Sequence, residues 1–487
     1  MHCGYIVKVE KLRKHPNADR LQIATFFGND TCVALDVEFG EVGIYFPSDL
    51  QLSLEYCDAN HLCRKDANGM PDSGYLEREK RHVKAINLRG EKSDGIYMPL
   101  SSLSFTGINA FDFNIGDTIT VVNGIEICKK YIPRGRKVNT ENCHWCKTKK
   151  KSAPIAPLFS EHADTEQLAY NLSAFKPGDE IEITLKMHGT SQRTAYLPVL
   201  KGYKRTLWDR ITRKEGTPIY EYDYVSGTRR TILNDYDGGF YGSNKFREQH
   251  HEQFIGKLMK GEEVFYEVVG FTDSGQSIMG NGNNDKVGKE FVKQYGKETV
   301  FSYGCESDGL KEGSWEGAFI AGTLEVGDNS YTTTNMKMFK KVPQSDIYVY
   351  RMTMTNEDGF TVEYTPDFMR YRCEQMGVKT IPVFAKATID CEGAHVYSPN
   401  EELYAFIHET ENVGETVREI AEKYYDGPDP VGKTHIREGV VVRIINRPTF
   451  KAYKHKNHSF KVLEGIIKDS ADAPDIEEAE EEFKEEV

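Results

Sequence analysis

Lys186 ends a strand-like run, Glu180-Ile181-Glu182-Ile183-Thr184-Leu185, and is followed by Met187, His188, Gly189, Thr190 and Ser191. A lysine amine attacks phosphorus only when neutral, whereas an unperturbed lysine keeps its proton up to a pKa of about 10.4. Desolvation or a neighbouring cation favours the neutral form, and a strand end inside a pocket can provide both. Gly189 lets the backbone turn close to a nucleotide. The Lys-x-x-Gly pattern is short, and the chain repeats it at Lys92-Ser93-Asp94-Gly95 and Lys293-Gln294-Tyr295-Gly296. Lys92 lies between two short strand-like runs and reads as a β-turn residue.

What separates Lys186 from these copies is the series of motifs downstream. Ser226-Gly227-Thr228-Arg229 brings a guanidinium suited to a phosphate or ribose. Phe265-Tyr266-Glu267-Val268-Val269-Gly270 sets one carboxylate among aliphatics. Asp346-Ile347-Tyr348-Val349-Tyr350-Arg351 offers two aromatics able to sandwich a purine. Glu438-Gly439-Val440-Val441-Val442-Arg443 places a second carboxylate at a strand start. In Lys454-His455-Lys456-Asn457-His458-Ser459-Phe460 the two lysines share a strand phase and so face one side. Each of these residues alone would be an ordinary surface charge or core aromatic. Their order around one lysine is harder to explain that way.

This series resembles the covalent lysyl-AMP nucleotidyltransferase superfamily, and within it the ATP-dependent RNA ligases of the Naegleria type. Lys-x-His-Gly-Thr in place of Lys-x-Asp-Gly is similar to the RNA-ligase branch. The resemblance runs from about residue 5 to 465 and leaves out the end of the chain. It implies Lys186 as the adenylylated nucleophile, with His188 and Gly189 beside the nucleotide and Arg229 on nucleotide and RNA phosphate. It implies Glu267 and Glu438 as carboxylates of a Mg²⁺ or Mn²⁺ site, and Lys454 and Lys456 as the pair gripping the α-phosphate of ATP. Tyr348 or Tyr350 would stack on adenine. The segment 305–335 leaves that register open, and no obvious Phe-Asp marks it. The implied partner is RNA with 3′-hydroxyl and 5′-phosphate ends, joined through lysyl-AMP and RNA-adenylate, in RNA repair.

The elements that must hold these residues divide into two domains. Residues 1–142 alternate short apolar runs with Gly, Asn and Asp, as a small all-β barrel does. The stretch His15-Pro16-Asn17-Ala18-Asp19-Arg20-Leu21 resembles the opening of an oligonucleotide-binding (OB-fold) barrel, a class that binds single strands. A basic, proline-bearing linker follows at 143–158. Residues 159–468 mix strands and helices without a βαβ rhythm, which predicts an α+β domain built on antiparallel sheets in a multidomain α+β protein; the resemblance implies that this second domain is the nucleotidyltransferase (ATP-grasp-like ligase) domain. The run 270–289 lacks the Gly-Lys-Ser/Thr of a phosphate loop and reads as a surface loop.

The net charge of −13 runs against nucleic-acid binding, but residues 469–487 hold ten Asp/Glu against one Lys. That acidic tail reads as disordered, and the rest of the chain is near balance. Ten cysteines are too dilute for a disulfide scaffold. Cys143 and Cys146 have zinc-ligand spacing but no clear second pair, so reduced thiols are the expectation. Without an apolar run of membrane length, a soluble cytoplasmic chain with no membrane partner is expected, and a monomer is assumed.

Three other readings share some of these features. A DNA ligase or an mRNA-capping-type nucleotidyltransferase typically carries its barrel after the double-lysine motif, whereas only 27 residues follow Phe460. A non-catalytic RNA-binding OB-fold protein would have no use for the intact lysine, carboxylates and lysine pair.

Overall fold

In the computed structural model the chain is mixed α/β, dominated by sheets with few helices. The structure describes residues 2–108, 113–132, 154–159, 162, 165–212, 216–229, 231–233, 236, 244–270, 272, 278, 281–283, 289, 292–293, 298–300, 322–326, 329–333, 345–409, 412–431 and 436–469. Cys143, Cys146, the lysines of the linker, most of 270–289 and the tail beyond 469 lie outside them. The chain folds as two compact units.

The larger unit comprises the described residues between 154 and 280 and between 300 and 455. Its strands include β1 (Glu166–Gln167), β2 (Glu180–Leu185), β3 (Thr190–Lys204), β4 (Thr217–Gly227), β5 (Glu262–Gly270), β6 (Ser345–Thr355), β7 (Thr361–Glu363), β8 (Lys379–Thr380), β9 (Val383–Ile389), β10 (Gly393–Ser398), β11 (Leu403–His408), β12 (Gly439–Ile444) and β13 (Lys451–Lys456). Among them run helices α1 (Leu207–Thr212), α2 (Lys245–Glu252), α3 (Pro366–Met376) and α4 (Val413–Glu422). One sheet has the order β1-β13-β12-β2-β9-β10-β11, the other β4-β3-β5-β6-β7 with β8 beside β6. The pairings are antiparallel except β1 with β13 and β6 with β8, as the α+β expectation requires.

Central strand β2 is buried on both faces. Ile181, Ile183 and Leu185 enter the core, each contributing roughly 1.5–3 kcal/mol by leaving water. On its other face Glu182 would be costly without a partner. Arg370 of α3 supplies one, with Nη1 and Nη2 donating at 3.1 and 2.7 Å. Helix α3 starts cleanly, with Thr365 capping the Phe368 amide and Pro366 in the first turn, and stops at Gly377 with φ 69°. Apolar residues of both sheets, including Leu185, Met187, Val269, Tyr348 and Val440, form one cluster.

The smaller unit comprises the described residues between 2 and 132, between 281 and 299, and 456–469. Its strands form separate small sheets. One runs Ile96–Pro99, Val42–Phe46, Gly4–Lys8, Thr118–Ile119; another joins Leu12–Lys14, Leu21–Phe26 and Asn29–Ala34; a third joins Cys128–Lys130, Leu50–Leu52 and His82–Val83. The expected OB-fold barrel is therefore not seen as a closed ladder among the described residues. Between Asn29–Ala34 and Ser93-Asp94 one backbone bond, Asp94 N to Asp30 O (2.8 Å), is joined by side-chain bonds, Thr31 Oγ1 donating to Asp94 O (2.7 Å) and the Cys32 amide to Ser93 Oγ (3.0 Å). Ile6, Ile44, Phe46, Leu50, Leu52 and Tyr56 fill the core. Helix α5 (His458–Asp469) belongs to this unit and is pinned to its strands by ion pairs: Lys461 to Asp94 (2.6 Å), Lys468 to Asp49 (3.2 Å), and Asp469 to Lys84 and His82. No helix among the described residues is long and apolar enough to cross a membrane.

Candidate active site

The backbone at Lys186 is gripped from both sides. The Leu185 amide donates to Pro382 O (2.9 Å), just before β9, and the Lys186 amide to Gly439 O (3.0 Å), the first residue of β12. This register brings Glu438 under the lysine side chain. Lys186 Nζ lies 2.6 Å from Glu438 Oε1, and His188 Nδ1 lies 3.1 Å from Glu438 Oε2. Glu438 is 2% exposed, whereas the lysine side chain keeps 24% of its surface. A carboxylate so buried is tolerable only with partners, and here each oxygen has one. The lysine is reachable from solvent while its counter-charge is not.

Gly189 explains the next constraint. A Cβ there would lie 2.3 Å from Val268 O, 2.8 Å from Val269 Cγ1 and 3.0 Å from Glu267 Cγ. The lysine loop thus lies directly on β5, beside the Glu267 side chain. Strand β3 leaves this point paired to β5, Ser191 opposite Glu267. Arg247 of α2 fixes its start, donating from Nη1 to Ser191 O (3.0 Å) and from Nη2 to Thr190 Oγ1 (2.7 Å). Sequence reading missed Arg247, which lies in a polar helix with no motif around it. Further along, buried Arg193 pairs with Glu263 at 2.9 Å; burial pushes the Glu263 carboxyl up to about 7 despite the arginine.

The two aromatic candidates part at a β-bulge. Phe265 pairs with Arg351 but Tyr266 with Val349, so Tyr350 is the extra residue. Tyr348 stands directly opposite Glu267 and enters the cluster with Leu185, Met187 and Val440. Tyr350 sits instead by the rings of His162 and Phe265, at 6.0 and 6.5 Å. Beside Tyr348 opens a cavity of about 550 Å³, lined also by Arg370, Lys379, Thr380, Pro382 and Val431, a size ordinary for small-molecule sites. Lys379 Nζ lies 5.6 Å from the Tyr348 ring centre.

Arg229 follows the end of β4. Beyond Gly227 the chain turns back on itself, Thr228 N donating to Thr231 O (2.8 Å) and Gly227 bridging Ile232, and the Arg229 carbonyl accepts from the His162 amide (3.0 Å). Strands β12 and β13 are sheet neighbours joined by residues 445–450, a connection short enough only for an antiparallel pair. The late residues of β13 therefore lie beside the start of β12, and Lys454 stands at the sheet end that carries Lys186 and Glu438. Lys456, the last residue of β13, is grouped with the smaller unit. There Glu464 of α5 holds its ammonium at 2.7 and 2.8 Å. The competing Lys92 lies on strand Glu91–Ser93, exposed, just past a turn at Arg89 and Gly90. Asp94 of that motif is buried on Lys461. Burial would raise its carboxyl, but the lysine holds it below the usual range.

Glu267 and Glu438 are hard oxygen donors, suited to Mg²⁺ or Mn²⁺. Among the described residues no group of three or more His, Cys, Asp or Glu forms a ready cage. The set fits a cation that keeps water and phosphate oxygens as most of its ligands.

No protein-family model and no curated protein matches the chain. Among solved structures it is similar to an RNA ligase of Naegleria gruberi. An apo variant of that ligase is 13% identical at TM-score 0.49, covering 94% of this chain and 97% of that one. A variant with ATP and Mn is 14% identical at 0.49, covering 96% and 98%. The form with PPi is 13% identical at 0.48, covering 94% and 98%.

Proposed function

We propose that this chain is an ATP-dependent RNA ligase that carries AMP on Lys186. The reading rests above all on one observation: a solvent-reachable lysine, paired at 2.6 Å with a buried glutamate, lies at a strand end whose next turn packs against a second carboxylate. The choice of RNA rests on the Lys-x-His-Gly-Thr motif and on a β-rich unit placed ahead of the lysine.

The chemistry comprises three displacements. Lys186 Nζ attacks the α-phosphorus of ATP; the N–P bond forms, the bond to pyrophosphate breaks, and the amine loses its protons. An oxygen of the RNA 5′-phosphate then attacks the same phosphorus and returns the lysine amine. Finally the 3′-hydroxyl attacks the 5′-phosphorus and AMP leaves.

Glu438, with His188 on its other oxygen, orients the lysine, whose proton passes to solvent. Lys454 and Lys456 would stabilise charge gathering on the α-phosphate oxygens, and Arg229 would hold the incoming phosphate. Tyr348 is the better adenine platform of the two tyrosines, being paired with Glu267 and bordering the cavity. A divalent cation on Glu267 and Glu438 would screen the phosphates and weaken Glu438's hold on the lysine proton.

Incubation with α-labelled ATP or GTP and Mg²⁺ tests this. ATP should give a protein label that Lys186→Ala abolishes. Labelling by GTP alone would make the chain a capping-type enzyme, and no Lys186-dependent label from either nucleotide would leave a binding protein. Joining yields on nicked duplex, templated and single-stranded RNA, and on DNA, would then define the substrate.

A further inference from the structure

The hairpin of β3 and β4 outruns its sheet. β3 pairs with β5 only from Thr190 to Ala195, yet pairs with β4 through to Lys204. Residues 197–204 thus form a two-stranded ribbon with 217–223, about 26 Å long at ~3.3 Å per residue. Such a ribbon is marginal alone, and this one is braced. Tyr196 stacks on Tyr224 at 4.6 Å, Lys201 pairs with Asp223, and the strap 154–155 meets it through Leu200 N to Ile155 O (2.8 Å) and Tyr220 Oη to Pro154 O (3.0 Å).

At its tip the short α1 presents Leu207 at 79% and Trp208 at 71% exposure. Tryptophan is usually well buried, and leaving both in water forgoes several kcal/mol of burial. Lys204 and Arg205 beside them are exposed as well. Residues 201–216 carry six Lys/Arg against two Asp/Glu, in a chain of net charge −13. An exposed indole among cations matches the bases and phosphates of a nucleic-acid strand.

We infer that this arm is a second RNA contact, binding the substrate strand away from the ends being joined, with Trp208 stacking on a base and Lys204 and Arg205 on phosphates. The inference rests on the ligase reading. From Thr190 beside the lysine loop to Lys204 is at most about 46 Å of strand, or roughly a dozen nucleotide steps at ~3.4 Å. Short RNA therefore does not reach the tip.

The test uses the full chain as wild type, Trp208→Ala and a Lys204→Ser/Arg205→Ser double variant. Lys186 labelling by ATP without RNA should be unchanged in both variants, which shows that they fold. Affinity for nicked duplex with about 30 base pairs on each side should fall about 5- to 150-fold in Trp208→Ala, while duplex with about 6 on each side binds as before. The double variant should lower the salt slope for long RNA by about 1.4–1.8. Equal affinity of wild type and variants for long RNA overturns the proposal, as does an equal loss on both lengths. Variants that bind RNA normally but lose a self-association seen in sedimentation overturn it in favour of a protein contact. Should wild type take no label from ATP, the ligase reading fails, while the RNA-binding comparison still decides the arm.

Discussion

Gly189→Ala tests the site most directly, because its effect follows from distances. The new methyl would lie 2.3 Å from Val268 O and 2.8 Å from Val269 Cγ1. The first is backbone in a strand paired on both sides and cannot turn away, so the lysine loop must lift by about 1 Å. Overpacking of this kind costs about 1–3 kcal/mol, which lowers the unfolding temperature by several degrees in a unit of this size. A displacement of about 1 Å at a reacting group costs roughly 100-fold in rate. Single-turnover labelling with α-labelled ATP should thus slow about 100-fold at a temperature where the variant remains folded. Gly202→Ala is the internal control. It lies on β3, the strand that follows the lysine loop, with nothing within 4 Å of the added carbon, and should leave rate and stability unchanged. A Gly189→Ala protein that labels at the wild-type rate would show that the packing of this loop on β5 does not position the nucleophile.

Other outcomes follow from the same geometry. Lys186→Ala should abolish labelling while Lys92→Ala leaves it intact, as measured by gel autoradiography. Tyr348→Leu, which keeps apolar volume without a ring, should raise the KM for ATP about 5- to 100-fold in the labelling step, whereas Tyr350→Leu should change it less than about 2-fold. In the smaller unit, burial would raise the Asp469 carboxyl, but hydrogen bonds from His82 and Lys84 hold it far below the usual range. A lowered carboxylate adds stability above its unfolded value of about 3.9 and loses it as pH falls through the folded one. Thermal unfolding should therefore show Asp469→Asn less stable than wild type at pH 7, with the gap closing below about pH 4.

The sequence made the lysine legible through its company, since Glu267 and Glu438 each lead into a run of valines. It could not choose between Tyr348 and Tyr350, because strict alternation puts both on one face. The bulge at Tyr350 comes from pairing with β5, which no local pattern encodes. Arg247 was hidden for a related reason, its role being set by backbone groups of a distant strand. The exposed tip at Leu207 and Trp208 carries no motif; its place comes from the pairing of β3 with β4 beyond the end of β5. The grouping of 456–469 with the N-terminal strands was equally invisible, as it depends on ion pairs across most of the chain's length.

That last arrangement shapes how the molecule is made. Asp469 completes the buried contacts of Lys84 and His82, and Lys461 those of Asp94, so the first strands to leave the ribosome wait for the last helix. At ~5–20 residues per second the delay is tens of seconds, spent with Lys84 and Asp94 lacking these partners. A fragment ending before His458 would keep those strands permanently unfinished.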